Sequence, residues 1–278
     1  MKRLFAISFL IAAVSMLVSC SEKDGETMDI NLITAAVTEK PAAGATPTIA
    51  PTTATAIAPT VTAAPVDYTG KKLVALTFDD GPNLSTTPLV LDKLEQYGVV
   101  ASFFLIGQNV TEALKPVMER QLALGCELDN HSWSHPSMSS LTAEEIKKQI
   151  ENTSAVIDQM VGVTPEFFRP PYIATSNTMY ENIDLPFING IGCKDWEATV
   201  TAEERVETIL TTVKDGDIIL LHDFDGNIAT VNALDEIIPK LLEDNYAFVT
   251  VSQLFELKGV EPNVEYMIWT NVSTSKAN

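Results

Sequence analysis

The stretch Leu73-Val74-Ala75-Leu76-Thr77-Phe78-Asp79-Asp80-Gly81-Pro82 decides how this chain is read. Leu73–Phe78 is a short apolar run of strand length, and Gly81-Pro82 supplies a turn directly after the paired acids. Two adjacent side chains on an extended backbone point to opposite sides, so the turn determines whether both carboxylates reach one place. If they do, one Asp can hold a cation while the other holds a proton.

Working outward, comparable runs recur at Ala101–Ile106, Cys126–Asn130, Phe167–Arg169, Phe187–Cys193, Asp217–Leu221 and Ala247–Val251. Helical patterns separate them. Thr87-Pro88 opens one that Gly98 closes, and another spans about 116–124. Thr142-Ala143-Glu144-Glu145 and Thr201-Ala202-Glu203-Glu204 are capping boxes, the first for a helix to about Val161. Val231, Leu234, Ile237, Ile238, Leu241 and Leu242 mark a further helical face. Six or seven βα units in about 190 residues predict an α/β fold, an irregular TIM-like (β/α) barrel of parallel strands. An open doubly wound sheet is the alternative. In a barrel, the carboxyl ends of the strands converge on one face. Asp79, Asp80, His131, Arg169, Asp195 and His222 all fall at such ends.

The chain holds only three histidines, and all sit in these positions. His131 and His135 lie four apart and can face one cation if the segment turns helically. With Asp80 they make a three-point site that leaves positions open for water and substrate. Such an ion polarises a carbonyl and acidifies water. Asp79 would take the water's proton and His222 would protonate the leaving group. Arg169 would pair with Asp79, backbone N–H groups after Pro170-Pro171 would meet the oxyanion, and Asp195-Trp196 would offer a partner for His222 and an aromatic wall.

These residues, in this order, resemble the motifs of the NodB-homology polysaccharide deacetylases, metal-dependent carbohydrate esterases. The likeness runs from about Lys71 to Leu257 through Thr77–Pro82, His131–His135, Arg169–Tyr172, Asp195-Trp196 and Leu221-His222. It implies Asp79 as base, His222 as acid, Arg169 orienting the base, Asp195 tuning the acid and the Tyr172 N–H in the oxyanion hole. It further implies that Asp80, His131 and His135 hold one divalent ion, zinc first, with cobalt or nickel as alternatives. Trp196, Tyr172 and Leu221 would meet the substrate, Leu221 at the acetyl methyl. Two positions depart from the pattern. Ile173 stands where the family usually has Gly, and Gly192 stands where its fourth motif usually begins with Asp. The wording around Ile173 and Gly192 is closer to acetylxylan esterases. The expected activity is release of acetate from an acetylated polysaccharide, O-acetyl of xylan or N-acetyl of GlcNAc polymers. A catalytically inactive glycan-binding relative is the alternative, and an iron oxygenase fits the two His and one carboxylate but not the extra Asp and His.

Outside residues 70–260 the composition changes. Lys2-Arg3 and the uncharged run from Leu4 to Val18 read as a secretory leader over 1–20. Leu17-Val18-Ser19-Cys20 resembles a lipoprotein cleavage box, with Cys20 lipidated. Residues 21–69 are rich in Thr, Ala and Pro and read as a disordered tether; 261–278 form a tail without signal. The expected location is extracytoplasmic, on the membrane only through that lipid, as a monomer. Formal charge is −19; the leader holds two of the 18 basic residues and no acid, so its removal gives −21. So acidic a surface argues against nucleic acid. Cys126 and Cys193 read as buried free thiols rather than a disulfide.

Overall fold

The computed structural model describes residues 67–273. The leader, Cys20 and the tether as far as residue 66 lie outside the described residues. Strand β1 (Lys72–Asp79) is central. It pairs in parallel with β2 (Ser102–Leu105), β6 (Ile218–His222) and, along its first half, β7 (Tyr246–Val249). β2 pairs with β3 (Glu127–Asn130), β6 with β5 (Ile191–Gly192), and β4 (Phe187–Ile188) with β8 (Ile268–Trp269), all in parallel. Single parallel bridges, Asn130 to Phe168 and Phe168 to Phe187, carry the pairing from β3 to β4. Asn271 beyond β8 bridges Asp217 at the foot of β6. A parallel six-stranded sheet and a two-stranded one are thus joined by isolated bridges along the irregular barrel course.

Period-two alternation along β1 sorts its side chains into two environments. Val74, Leu76 and Phe78 face outward into a core with Val90, Leu91 and Leu94 of α1 (Thr87–Tyr97) and Leu234, Ile237 and Ile238 of α6 (Ile228–Glu243). Leu73 and Ala75 face inward with Phe104, Ile218 and Val249. Thr77 and Asp79 continue that inward face, where Arg169 meets both. The barrel's lower interior is apolar and its upper interior polar.

Local signals explain most helix ends. Both expected capping boxes form, on α3 (Ala143–Val161) and α5 (Ala202–Thr212), and Gly98 ends α1 in the left-handed conformation. α2 covers Lys115–Ala123. Three features depart from expectation. The run Phe187–Cys193 is broken into β4 and β5 around Asn189-Gly190. There a Cβ on Gly190 would lie 2.7 Å from Leu220 Cβ and 2.8 Å from the Ile218 carbonyl, so the chain presses onto β6 too closely for a side chain. Val251, read as the end of a strand, instead starts α7 (Val251–Lys258), because Thr250 and Gln253 form a third capping box. α4 (Asn177–Asn182), too short to show a helical period, is capped by Ser176.

The segment after residue 260 is the larger difference. Trp269 and Val272 are buried in the inner core, and Trp269 packs edge-on to Phe255 at 5.1 Å. A two-residue strand carries no periodicity, so nothing in the sequence pointed to β8. Cys126 and Cys193 are free and buried, as expected; burial raises their thiols to about 11 and about 12.

Candidate active site

Register brings the predicted residues to one rim. Asp79 is the Cα partner of His222 across β1 and β6, and Leu105 partners Asn130 across β2 and β3. Asn130 bridges Phe168, so His131 and Arg169 leave adjacent strand ends together. A cleft of about 430 Å³ is lined by Asp79, Asp80, His131, His135, Tyr172, Trp196 and His222, among others.

Asp79 and Asp80 diverge in their surroundings. Asp79 ends the strand on its inward face and is buried. Arg169 Nη1 donates to its Oδ1 at 2.5 Å and to Thr77 Oγ1 at 2.8 Å. Arg169, wholly buried, also donates from Nη2 to the Asn189 carbonyl and lies over the Phe104 ring at 4.0 Å. Asp80 takes φ +76°, in the left-handed region, which turns its carboxylate onto the same rim instead of the opposite face.

The histidine pair is not helical, which corrects the expected mechanism of its convergence. Ser132 and His135 both take positive φ, 68° and 54°, and fold a loop. The Asn130 side chain accepts from Ser132 N, while Gln149 Oε1 of α3 accepts from Trp133 N and Ser134 N. Asn130 and Gln149 therefore shape the site, though nothing in their sequence context marked them.

The donor set suits a cation. His131 Nδ1 lies 2.7 Å from the Arg169 carbonyl, which can only accept, so Nδ1 carries the proton and Nε2 presents a lone pair. That Nε2 is 3.5 Å from Asp80 Oδ1, itself buried without a hydrogen-bond partner, and His135 Nε2 is also 3.5 Å from it. One ligand atom from each residue lies within 4.8 Å of the others. Lone pairs converging at this spacing repel unless a cation lies between them. Burial opposes ionisation of Asp80, but the neighbouring imidazoles, His131 foremost, lower its carboxyl overall. Burial, with His131 adding to it, lowers His135. Both shifts favour the deprotonated forms that bind metal.

Across the cleft, His222 Nδ1 lies 2.8 Å from Asp195 Oδ1, and Asp195 Oδ2 accepts the His222 N–H at 2.7 Å. Burial lowers the His222 imidazole, but Asp195, then Asp79 and Asp80, outweigh it and raise it to about 9. Trp196, half exposed, stands edge-on to His222 at 5.5 Å. Tyr172 stands edge-on to His135 at 4.7 Å. Its backbone is left-handed (φ 59°), and no hydrogen bond takes its N–H, whereas the N–H groups of Ile173 and Ala174 are used within the turn.

Among the described residues, Leu221 is the one expected site residue that lies elsewhere. Its side chain is in the outer core, and Leu220 lines the cleft instead. Alternation from His222 places residue 220, two back, on the same face, a signal that the motif reading passed over.

A family model described as polysaccharide deacetylase matches residues 67–185. The chain is 56% identical over 202 residues to a bifunctional xylanase/deacetylase of Pseudobutyrivibrio xylanivorans, covering 73% of this chain and 33% of that protein. It is 38% identical over 189 residues to the peptidoglycan-N-acetylmuramic acid deacetylase PdaC of Bacillus subtilis (strain 168), covering 68% of this chain and 40% of that protein. This chain thus spans between a third and two fifths of those relatives' lengths. Among solved structures, it matches a family 4 acetyl xylan esterase from Clostridium thermocellum in complex with a cobalt ion. Identity is 45% and the TM-score 0.70, over 72% of this chain and 99% of that one. Fold, rim and matched sequence together make this chain a member of the polysaccharide deacetylase family.

Proposed function

We propose that the protein hydrolyses acetyl groups from an acetylated polysaccharide and releases acetate. The observation that carries this reading is the meeting of a carboxylate held by a buried Arg, an Asp–His–His donor set and an Asp-paired imidazole in one cleft. A divalent ion held by Asp80, His131 and His135 would supply Lewis acidity toward the acetyl carbonyl and lower the pKa of water.

The remaining work belongs to the protein's own groups. Arg169 fixes Asp79 Oδ1, leaving Oδ2 toward the cleft, 3.8 Å from His131 Nε2, to take a proton from water as its oxygen adds to the acetyl carbon. The Tyr172 backbone N–H, which no hydrogen bond takes, donates to the oxyanion in this reading. Asp195, Asp79 and Asp80 raise His222 against the effect of burial and so favour its charged form. With Nδ1–H directed to Asp195, its Nε2–H protonates the departing sugar oxygen or nitrogen as the bond to carbon breaks. The products are acetate and a free hydroxyl or amine.

Xylan acetyl esters are the favoured substrate, supported by the 56% identity to the xylanase/deacetylase, and zinc the favoured ion, with cobalt or nickel as alternatives. Acetate release from acetylxylan and from an N-acetylglucosamine oligomer, measured side by side, tests the reading. Faster release from acetylxylan supports it; faster release from the oligomer moves the substrate to amides; none from either leaves a glycan-binding relative. The uncharged run from Leu4 to Val18 and Cys20 after it support an extracytoplasmic, lipid-anchored protein. Membrane fractionation of Cys20→Ser against the native chain checks the anchor, which fails if both partition alike.

A further inference from the structure

Behind the His222–Asp195 pair lies a buried side chain that the reaction as described does not use. Arg205 on α5 is 2% exposed, and its Nε donates to the Val200 carbonyl. Its Nη1 donates twice, to Asn227 Oδ1 and to Thr230 Oγ1, both at 2.7 Å. Thr230 Oγ1 in turn donates to Asp195 Oδ2 at 2.8 Å. Asn227 Nδ2 reaches the same oxygen at 3.4 Å and the His222 carbonyl at 2.9 Å.

The chemistry of these groups gives the network a direction. A guanidinium only donates, so the Asn227 atom facing it must be oxygen, which turns the amide NH₂ toward Asp195. The Thr230 hydroxyl, already accepting from Arg205, has its single proton left for Asp195. Every group on Asp195 is then a donor, and the carboxylate can only accept from His222 Nδ1–H. We propose that Arg205 is a positioning residue that, through Thr230 and Asn227, fixes the hydrogen-bond polarity of Asp195 and so aims and tunes the His222 proton. This rests on the reading of His222 as general acid.

The charged groups facing His222 are Asp195 on the loop after β5, Asp79 and Asp80 at the end of β1, and His135 on the loop after β3. Of these, Asp195 alone is tied to Arg205 and Thr230 by the hydrogen bonds described above. A carboxylate that loses fixed donors becomes a stronger partner for the imidazolium, so removing them should raise the His222 midpoint and weaken it as an acid.

The chain's three histidines make the measurement direct. His222 is titrated by NMR in the histidine-labelled full chain, native and as Arg205→Met, Arg205→Lys, Thr230→Val and Thr230→Ser, alongside the pH profile of acetate release. Expected is an upward movement of the His222 midpoint by roughly 0.5–1 pH unit in Arg205→Met and Thr230→Val. A drop in kcat of about tenfold with little change in KM should accompany it, while Arg205→Lys and Thr230→Ser stay near native. An unmoved His222 midpoint in Arg205→Met and Thr230→Val, even with lowered stability, would leave Arg205 a structural residue and overturn the proposal. If Arg205→Met does not fold, an unmoved midpoint in Thr230→Val overturns it alone. The midpoint is read whether or not acetate appears, so a native chain without activity would sink the enzymatic reading and leave the network decided separately.

Discussion

At the scale of single residues, neighbouring Asp79 and Asp80 acquire different surroundings because the backbone turns between them. One remains on the strand and is clamped by Arg169; the other turns through a positive φ and faces two imidazoles. The residue types and their order were legible in the sequence. The left-handed conformations of Asp80, Ser132 and His135 were not, because no glycine marks them. His222 provides the clearest pH test. With its midpoint raised from 6.5 to about 9, the charged form prevails below that pH, and the stability it adds is whole below about 6.5 and lost as pH rises through about 9. A cation bound opposite Asp195 should move that midpoint down by repulsion. An NMR titration with chelator and then with zinc should therefore find the higher value in the metal-free protein. Equal values would mean that His222 does not sense the Asp80 site.

At the scale of elements, the site depends on loops that rigid strands and helices hold in place. The capping boxes of α3 and α5 were readable because their side chains act within four residues. The grip of Gln149 on residues 133 and 134 was not, since it joins a helix to a loop 15 residues away. Gly190 shows the same limit, as its need for hydrogen alone comes from β6. Gly190→Ala should force the 189–192 segment off β6, costing about 1–3 kcal/mol by overpacking, and lower kcat because β6 carries His222. Thermal unfolding and acetate release together check this; unchanged values in both would show that the contact relaxes freely.

At the scale of the whole molecule, alternating apolar runs and helical stripes gave the parallel α/β barrel, because each βα unit repeats the same buried pattern. The end of the domain escaped that reading. β8 is two residues long, yet it brings Trp269 into the inner core, with Nε1 donating to the Pro262 carbonyl at 2.9 Å. Trp269→Ala should cost about 3–5 kcal/mol, seen as a lower urea midpoint, whereas a surface tail would give almost none. The central claim is that distant strand ends assemble one cation site distinct from the base beside it. It is tested most directly by the metal bound per chain in the native protein, Asp79→Asn and His131→Ala. One ion in the native protein and in Asp79→Asn, and none in His131→Ala, is the predicted result; equal metal in both variants would contradict it.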